Sequence, residues 1–438
     1  MFSAEQIERL LPFGDRRRWH DGDALFEAGK PGPGMFVLLS GRVAVTRRDG
    51  LGNDLPVPLE GPGEFLAEVG QLSAKPAFVD GRAQGDVEAL LIAPERLRAL
   101  LVAEAEMGQL IMRALILRRV MLIETGIGGP LLIGDAKGAE MTRPTSFLTR
   151  NGQPHKVVDP LVDADSAAVA ARHATGAQGA VLVVCPNGSV LTNPSDVEVA
   201  KAIGLCEFDS EPIRDVAIVG AGPAGLAAAV YAASEGLSVI VLEAHAFGGR
   251  AGASARIENY LGFPTGITGQ ALAGRSFLQA EKFGAEVVVP ARVKSFSCGD
   301  RARQHKHALT LTDGRRIEAR AVVIASGAAY RRPDIAELSR FEGRGVSYWA
   351  SPIEGRLVKG CDVALVGGGN SAGQGLAATM SQYLVDRINA NARIELHPHA
   401  QVLRLQGDQA GLTRVVWRTG KNGEEVELAT RSLSVRRC

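Results

Sequence analysis

Residues 214–245 read "RDVAIVGAGPAGLAAAVYAASEGLSVIVLEAH", and the order of residue types in this stretch decides the fold of the larger part of the chain. The apolar run Val216 to Val219 predicts a buried strand. Three glycines follow at G-x-G-x-x-G spacing (Gly220, Gly222, Gly225), then an alanine-rich helical run opened by Pro223 and Ala224, then a second apolar run ending in the acid Glu243. Gly220 permits the tight turn, Gly222 lets the backbone approach a diphosphate, and Gly225 lets the helix lie close to the strand. The free amides at the helix start suit an anion. Strand, turn, helix, strand and acid in this register predict a dinucleotide-binding unit in which Glu243 accepts hydrogen bonds from ribose hydroxyls.

The pattern recurs downstream. The segment "CDVALVGGGNSAGQ" (361–374) sets Gly367, Gly369 and Ala372 at G-x-G-x-x-A spacing, with Asn370 and Ser371 inside the loop. Two such signatures predict two nucleotide-binding domains.

Between them, "FGGRAGASARIENYLGFPTGITGQAL" (247–272) and "EARAVVIASGAAYRRP" (318–333) resemble the disulfide-reductase flavoproteins, and the low-molecular-weight thioredoxin reductases in particular. The resemblance rests on Gly248–Gly249, on Glu258–Asn259, on Gly262–Phe263–Pro264 with Gly266–Ile267, and on the A-[TS]-G-A turn at Ala325, Ser326, Gly327 and Ala328. It implies FAD at the first signature and NADPH (or NADH) at the second. It further assigns Asn259 and the Gly248–Gly249 turn to the ribityl and isoalloxazine. Arg250 stands where the family has glutamine. Ala325 and Gly327 close over the adenosine side of FAD.

The chain departs from the family in three places. Where thioredoxin reductases carry "SYCATC", this chain has "SYWASP" within "GVSYWASPIEG" (345–355), so Trp349 and Pro352 replace the two redox cysteines. Without a thiolate pair no dithiol relay can form, and Trp349 is expected beside the flavin, where an aromatic face excludes water. After Gln374 the sequence runs directly into "GLAATMSQYLVDRI". That leaves two readings: one crossover helix to Ala390 followed by a strand "RIELH", or a missing segment of about one strand and half a helix in a unit that needs about 30 residues. The second is favoured. The closing stretch "VELATRSLSVRRC" carries none of the family's final G-D element.

Ahead of the flavoprotein half, residues 20–95 alternate in short apolar segments broken by glycine, which predicts an antiparallel barrel or jelly roll. A mostly helical stretch follows, "RLRALLVAEAEMGQLIMRALILRRVMLIE". Barrel, "GEFLAEVGQLSAKP" and helix resemble a cyclic-nucleotide-binding domain, with Gly63, Glu64 and Glu68 matching its cassette. In that family an arginine follows the proline, whereas here Pro76 precedes Ala77 and Phe78, which removes a charge-assisted contact to the cyclic phosphate. Residues 130–207 resemble a thioredoxin or glutaredoxin fold. "GDAKGAEMT" (134–142) replaces the redox dithiol, so the module is expected to be redox-inert and to serve in interdomain packing.

The fold class expected is therefore multidomain α/β: a cyclic-nucleotide-binding-like β-barrel (1–127), a thioredoxin-like module (128–207), a linker (208–214), an FAD-binding domain (215–330) and an NAD(P)-binding domain that is apparently incomplete (331–438). Lys plus Arg number 49 and Asp plus Glu 48 in 438 residues. That balance argues against nucleic-acid or anionic-membrane partners and favours small molecules, which the signatures and the resemblance make nucleotide cofactors. No stretch of 18 apolar residues and no secretory leader pattern occurs, so a cytoplasmic location is expected. The cysteines (185, 206, 298, 361 and 438) form neither a CxxC nor a zinc-spaced cluster, so no metal is expected. The expected function is an FAD-dependent NAD(P)H oxidoreductase with an unknown electron acceptor, a homodimer being its candidate assembly. The rival is a non-enzymatic ligand-sensing or degenerate regulatory protein.

Overall fold

The computed structural model describes the chain except for residues 49–53, 57–59, 68, 73–74, 137, 174–179, 300–305, 328–332, 349–357, 368–381, 398, 409–410, 421–422 and 436–438. The fold is multidomain α/β and falls into two units, residues 1–249 with 271–326, and residues 250–270 with 327–438.

The first unit opens with an antiparallel sheet. Its long strands Met35–Arg48 and Asp80–Ile92 pair with each other, Asp80–Ile92 also takes Asp15–Trp19 and Ala24–Phe26, and Met35–Arg48 takes Asp54–Pro56 and Phe65–Leu66. Alternation along the strands fills the interior with Phe36, Leu38, Val43, Ala89 and Leu91. The helical stretch is two helices, Pro94–Ala103 and Ala105–Thr125, broken at Glu104, which pairs with Arg9.

Residues 131–202 form a four-stranded sheet. Leu131–Ile133 lies parallel to Lys156–Val158 and antiparallel to Leu182–Val184, which pairs with Val190–Thr192. Helices Ala139–Arg150, Ala164–His173 and Asp196–Ala202 intervene in the order expected of a thioredoxin-like fold. One face of this sheet does not end in solvent. Leu132, Phe147, Val183, Cys185 and Val199 share a continuous core with Val216, Ile218 and Leu226 of the next sheet. The intervening segment is also tied down, since the Arg315 guanidinium lies 4.4 Å from the Phe208 ring and donates to the Cys206 carbonyl at 2.8 Å.

That next sheet has six strands in the order Glu286–Val288, Val239–Leu242, Arg214–Val219, Arg316–Ile324, His307–Leu311, Val293–Ser297. The first four run parallel and the last three form an antiparallel edge. Strand Val239–Leu242 is buried along its whole length, as a central parallel strand covered on both faces requires.

In the second unit, a parallel three-stranded sheet sets Leu433–Val435 between Val346–Ser347 and Ala364–Val366. A separate antiparallel meander is formed by Ala400–Gly407, Leu412–Thr419 and Glu425–Ala429. Helix Gln382–Asn389 is present, but residues 394–397 carry no strand. The alternation of "RIELH" does not become a strand here, because this stretch is largely exposed and pairs with no described strand.

Candidate functional site

The dinucleotide loop is built as its glycines demand. A methyl group on Gly225 would overlap the carbonyl oxygen of Gly220 and stand 3.0 Å from its carbon, so only glycine lets helix Pro223–Ser234 close on the strand. Gly220 has φ +103°, the left-handed side that L side chains avoid. Gly222 is different. It is the N-cap of the helix with an ordinary φ of −71°, and no described atom lies within 4 Å of where its Cβ would be. No described side chain caps this helix start. Open space above a glycine at an uncapped helix N-terminus is the shape that a diphosphate fits.

Glu243 organises the loop. Its Oε2 accepts from the Ala221 amide at 2.8 Å and its Oε1 from the His245 amide at 2.9 Å. The carboxylate expected to face a ribose thus also pins both sides of the crevice. His245 faces Arg292, with Nη2 2.7 Å from Nε2. Burial and then the Arg292 charge lower the His245 pKa, which keeps the ring neutral and able to accept that hydrogen bond. The following turn folds back on the loop. The Gly248 amide donates to the Ala221 carbonyl at 2.7 Å, and a Cβ on Gly249 would lie 3.1 Å from the Gly222 Cα. Behind it Phe247 stacks on Phe277, with centroids 4.4 Å apart, a geometry worth about 0.5–1.5 kcal/mol beyond area burial. Ala325 donates its amide to the Val219 carbonyl, which brings the next turn beside Gly220.

Within the second unit, the segment with Asn259 is a bridged loop. Ile257 and Ile267 exchange both backbone hydrogen bonds, at 2.7 and 2.9 Å. Glu258 pairs with Arg256 at 3.2 Å and with Arg387 at 2.8 Å. The Arg387 hydrogen bond, above all, holds its carboxyl below the usual range. Asn259 is exposed and Arg250 half-buried. Gly327 has φ +68° with open space around it. Gly367, φ +132°, closes strand Ala364–Val366. Gly369, Asn370, Ser371, Trp349 and Pro352, with the junction after Gln374, lie outside the described residues, as does Glu68 of the barrel cassette.

At the barrel, Gly63 has φ +81°, and Glu64 accepts from the Gly61 amide at 2.6 Å. The turn expected to lack a phosphate arginine is occupied by other parts of the chain. Pro76 packs on Gly204 and Phe78 on Gly128, neither glycine leaving room for a side chain, and the Arg119 guanidinium lies 4.7 Å from the Phe78 ring. Arg118, on the helix that follows, covers the Phe65 ring at 4.6 Å, donates to the Ala67 carbonyl at 3.0 Å and stands 4.0 Å from Glu60. Sequence reasoning passed over Arg118, because its neighbour Arg119 and the apolar residues around it read only as a helix. Among the described residues no cluster of His, Cys, Asp and Glu could hold a metal, and no helix is long and apolar enough to cross a membrane.

Residues 214–393 match the pyridine nucleotide-disulphide oxidoreductase family and residues 16–104 match the cyclic nucleotide-binding domain. The chain is similar to the thioredoxin reductase of Bacillus subtilis, at 38% identity over 38% of this chain and 50% of that one. It is also similar to that of Mycoplasmopsis pulmonis, at 34% identity over 50% of this chain and 75% of that one. The solved thioredoxin reductase of T. acidophilum aligns with a TM-score of 0.47 at 29% identity, covering 52% of this chain and 78% of its own. The chain thus spans half the length of the Bacillus relative and three quarters of the Mycoplasmopsis one. The family of these relatives uses FAD and NADPH. On this extent of identity, and with a dinucleotide loop built as that family requires, the chain belongs to the thioredoxin-reductase-like pyridine nucleotide-disulphide oxidoreductases, here carried behind a cyclic nucleotide-binding domain.

Proposed function

We propose that the chain is an FAD-dependent oxidoreductase that draws hydride from NADPH or NADH and passes the electrons to an acceptor other than a disulfide served by its own CxxC. The observation that carries this reading is the contrast within one loop, where Gly225 has no room for a methyl group and Gly222 has open space facing an uncapped helix. FAD, when bound, supplies a ring that accepts two electrons and a proton as hydride. The helix amides and Gly222 would hold the diphosphate, Glu243 the ribose edge and the Gly248–Gly249 turn the ribityl end; Asn259 is put forward for the ribityl on the resemblance alone. Gly367 begins the second loop, to which Gly369, Asn370 and Ser371 also belong, and this loop holds the nicotinamide nucleotide. In the sequence Trp349 takes the place of a redox cysteine, and an aromatic side chain beside the flavin would exclude water.

The domain limits put forward are 1–127, 128–207, 215–330 and 331–438, with the segment 208–214 between. A purely ligand-sensing role through a cyclic nucleotide lacks its phosphate arginine, since Pro76 is followed by Ala77 and Phe78. The test is an absorbance spectrum of the purified chain after incubation with FAD and removal of the excess, then anaerobic addition of NADPH. The expected result is a retained yellow chromophore that bleaches, slowly if the junction after Gln374 lacks the strand that anchors the second nucleotide. A chain that retains no flavin refutes the reading.

A further inference from the structure

The turn 245–249 is held from two sides, besides its own closing bond from the Gly249 amide to the Ala246 carbonyl at 3.4 Å. Its amides point inward: His245 to Glu243 at 2.9 Å, Ala246 to Glu243 at 3.4 Å, and Gly248 to the Ala221 carbonyl at 2.7 Å. Its terminal carbonyls point outward, and both are taken by two adjacent residues of the thioredoxin-like module. Arg150 Nη2 donates to the Gly249 carbonyl at 3.0 Å, and Asn151 Nδ2 donates to the His245 carbonyl at 3.0 Å.

Local structure places these two donors. Arg150 is the last residue of helix Ala139–Arg150 and Asn151 is its C-cap. The helix ends in a tight cap, with the Gln153 amide donating to Leu148 O at 2.8 Å and the Gly152 amide to Thr149 O at 3.1 Å. Asn151 is 2% exposed and its Nδ2 also holds the Phe147 carbonyl at 3.0 Å, so the side chain has a fixed direction. Gly152 faces the Phe247 ring. A module without a redox dithiol thus delivers a helix terminus to the turn that lies on the dinucleotide loop.

We propose that Arg150 and Asn151 are positioning residues of the flavin site, holding the 245–249 turn in the geometry that FAD requires. The inference rests on the flavin reading above. A turn fixed at both carbonyls needs no ordering when the cofactor arrives, and loss of one donor transfers that ordering cost to binding.

The experiment compares full-length wild type, Arg150→Met and Arg150→Lys by two measurements: backbone hydrogen exchange of the unliganded protein and FAD titration by flavin fluorescence. Arg150→Met is expected to accelerate exchange in residues 245–249, while strand Val239–Leu242 stays protected, and to weaken FAD about tenfold. Arg150→Lys, which keeps a charged donor, is expected to restore both. FAD binding by Arg150→Met equal to wild type, or an equal loss in Arg150→Lys, overturns the proposal and leaves the flavin reading standing. A wild-type chain that binds no FAD overturns both. Should Arg150→Met fail to fold, Asn151→Ser gives the same comparison at the His245 end, and unchanged exchange and affinity there overturn the proposal equally.

Discussion

The glycine pair in the dinucleotide loop offers a separation of folding from binding within four residues. Consider Gly222→Ala. The new methyl group meets no described atom within 4 Å, and φ −71° suits alanine. Losing glycine at an N-cap costs a few tenths of a kcal/mol up to about 1, and stiffening the unfolded chain returns about 0.4–1 kcal/mol. The unliganded protein should therefore melt within about 0.5 kcal/mol of wild type. The same methyl group occupies the space reserved for the diphosphate, so FAD affinity should fall at least about tenfold, or about 1.4 kcal/mol, and further for Gly222→Val. Gly225→Ala reverses the pattern. Its methyl group overlaps the Gly220 carbonyl oxygen, and opening the helix–strand contact by about 1 Å is an overpacking defect of about 1–3 kcal/mol. Thermal melts of the unliganded proteins and FAD titrations measure the two quantities independently. Wild-type FAD affinity in a fully folded Gly222→Ala protein would refute the diphosphate placement. A wild-type melting temperature in Gly225→Ala would refute the packing argument.

Three further outcomes are expected. Burial lowers the pKa of His155, whose Nδ1–H donates to the Gln153 carbonyl at 3.0 Å. A base with a depressed folded pKa gives stability that is present above about pH 6.5 and is lost as pH falls; melting temperatures followed into mild acid should drop less steeply in His155→Gln, and identical slopes would refute the assignment. The barrel should show no submicromolar binding of cyclic AMP or cyclic GMP by calorimetry, because Pro76 is followed by Ala77 and Phe78 and no arginine there holds the cyclic phosphate; submicromolar binding would refute this. With FAD and NADPH supplied, the chain should not turn over thioredoxin or an aromatic disulfide at about 1 s⁻¹ or faster. Turnover that survives replacement of the exposed Cys361 by serine would contradict this, and turnover lost in that variant would make Cys361 a lone catalytic thiol.

The dinucleotide loop was legible because its requirements are local. Gly220, Gly222, Gly225 and Glu243 lie within 24 consecutive residues, and each is fixed by a turn, a close approach or a strand end. The antiparallel strands of the barrel were legible from alternation and glycine punctuation for the same reason. What holds the turn 245–249 was not. Arg150 and Asn151 precede a glycine, so "RNG" reads as an ordinary helix stop, and their partners lie about a hundred residues away. Nor could the sequence show that Pro76 and Phe78 lie against Gly204 and Gly128, since those glycines by themselves signal only a turn. "RIELH" misled in the other direction. Alternation promises a strand only where a neighbour supplies the hydrogen bonds, and residues 394–397 have none among the described strands.

The place of Leu433–Val435 has a consequence during synthesis. This strand joins Val346–Ser347 to Ala364–Val366, which do not pair with each other. On the ribosome the two earlier strands emerge first and must wait, edges unfilled, while the whole meander Ala400–Ala429 is made. Closing a sheet through its latest strand is a non-local step, slow in folding and exposed to intermolecular pairing. A nascent chain arrested anywhere before Leu433 would carry two short strands with no common partner. The second unit should therefore mature later than the sheets made before it, and its yield should depend more on chaperone capacity.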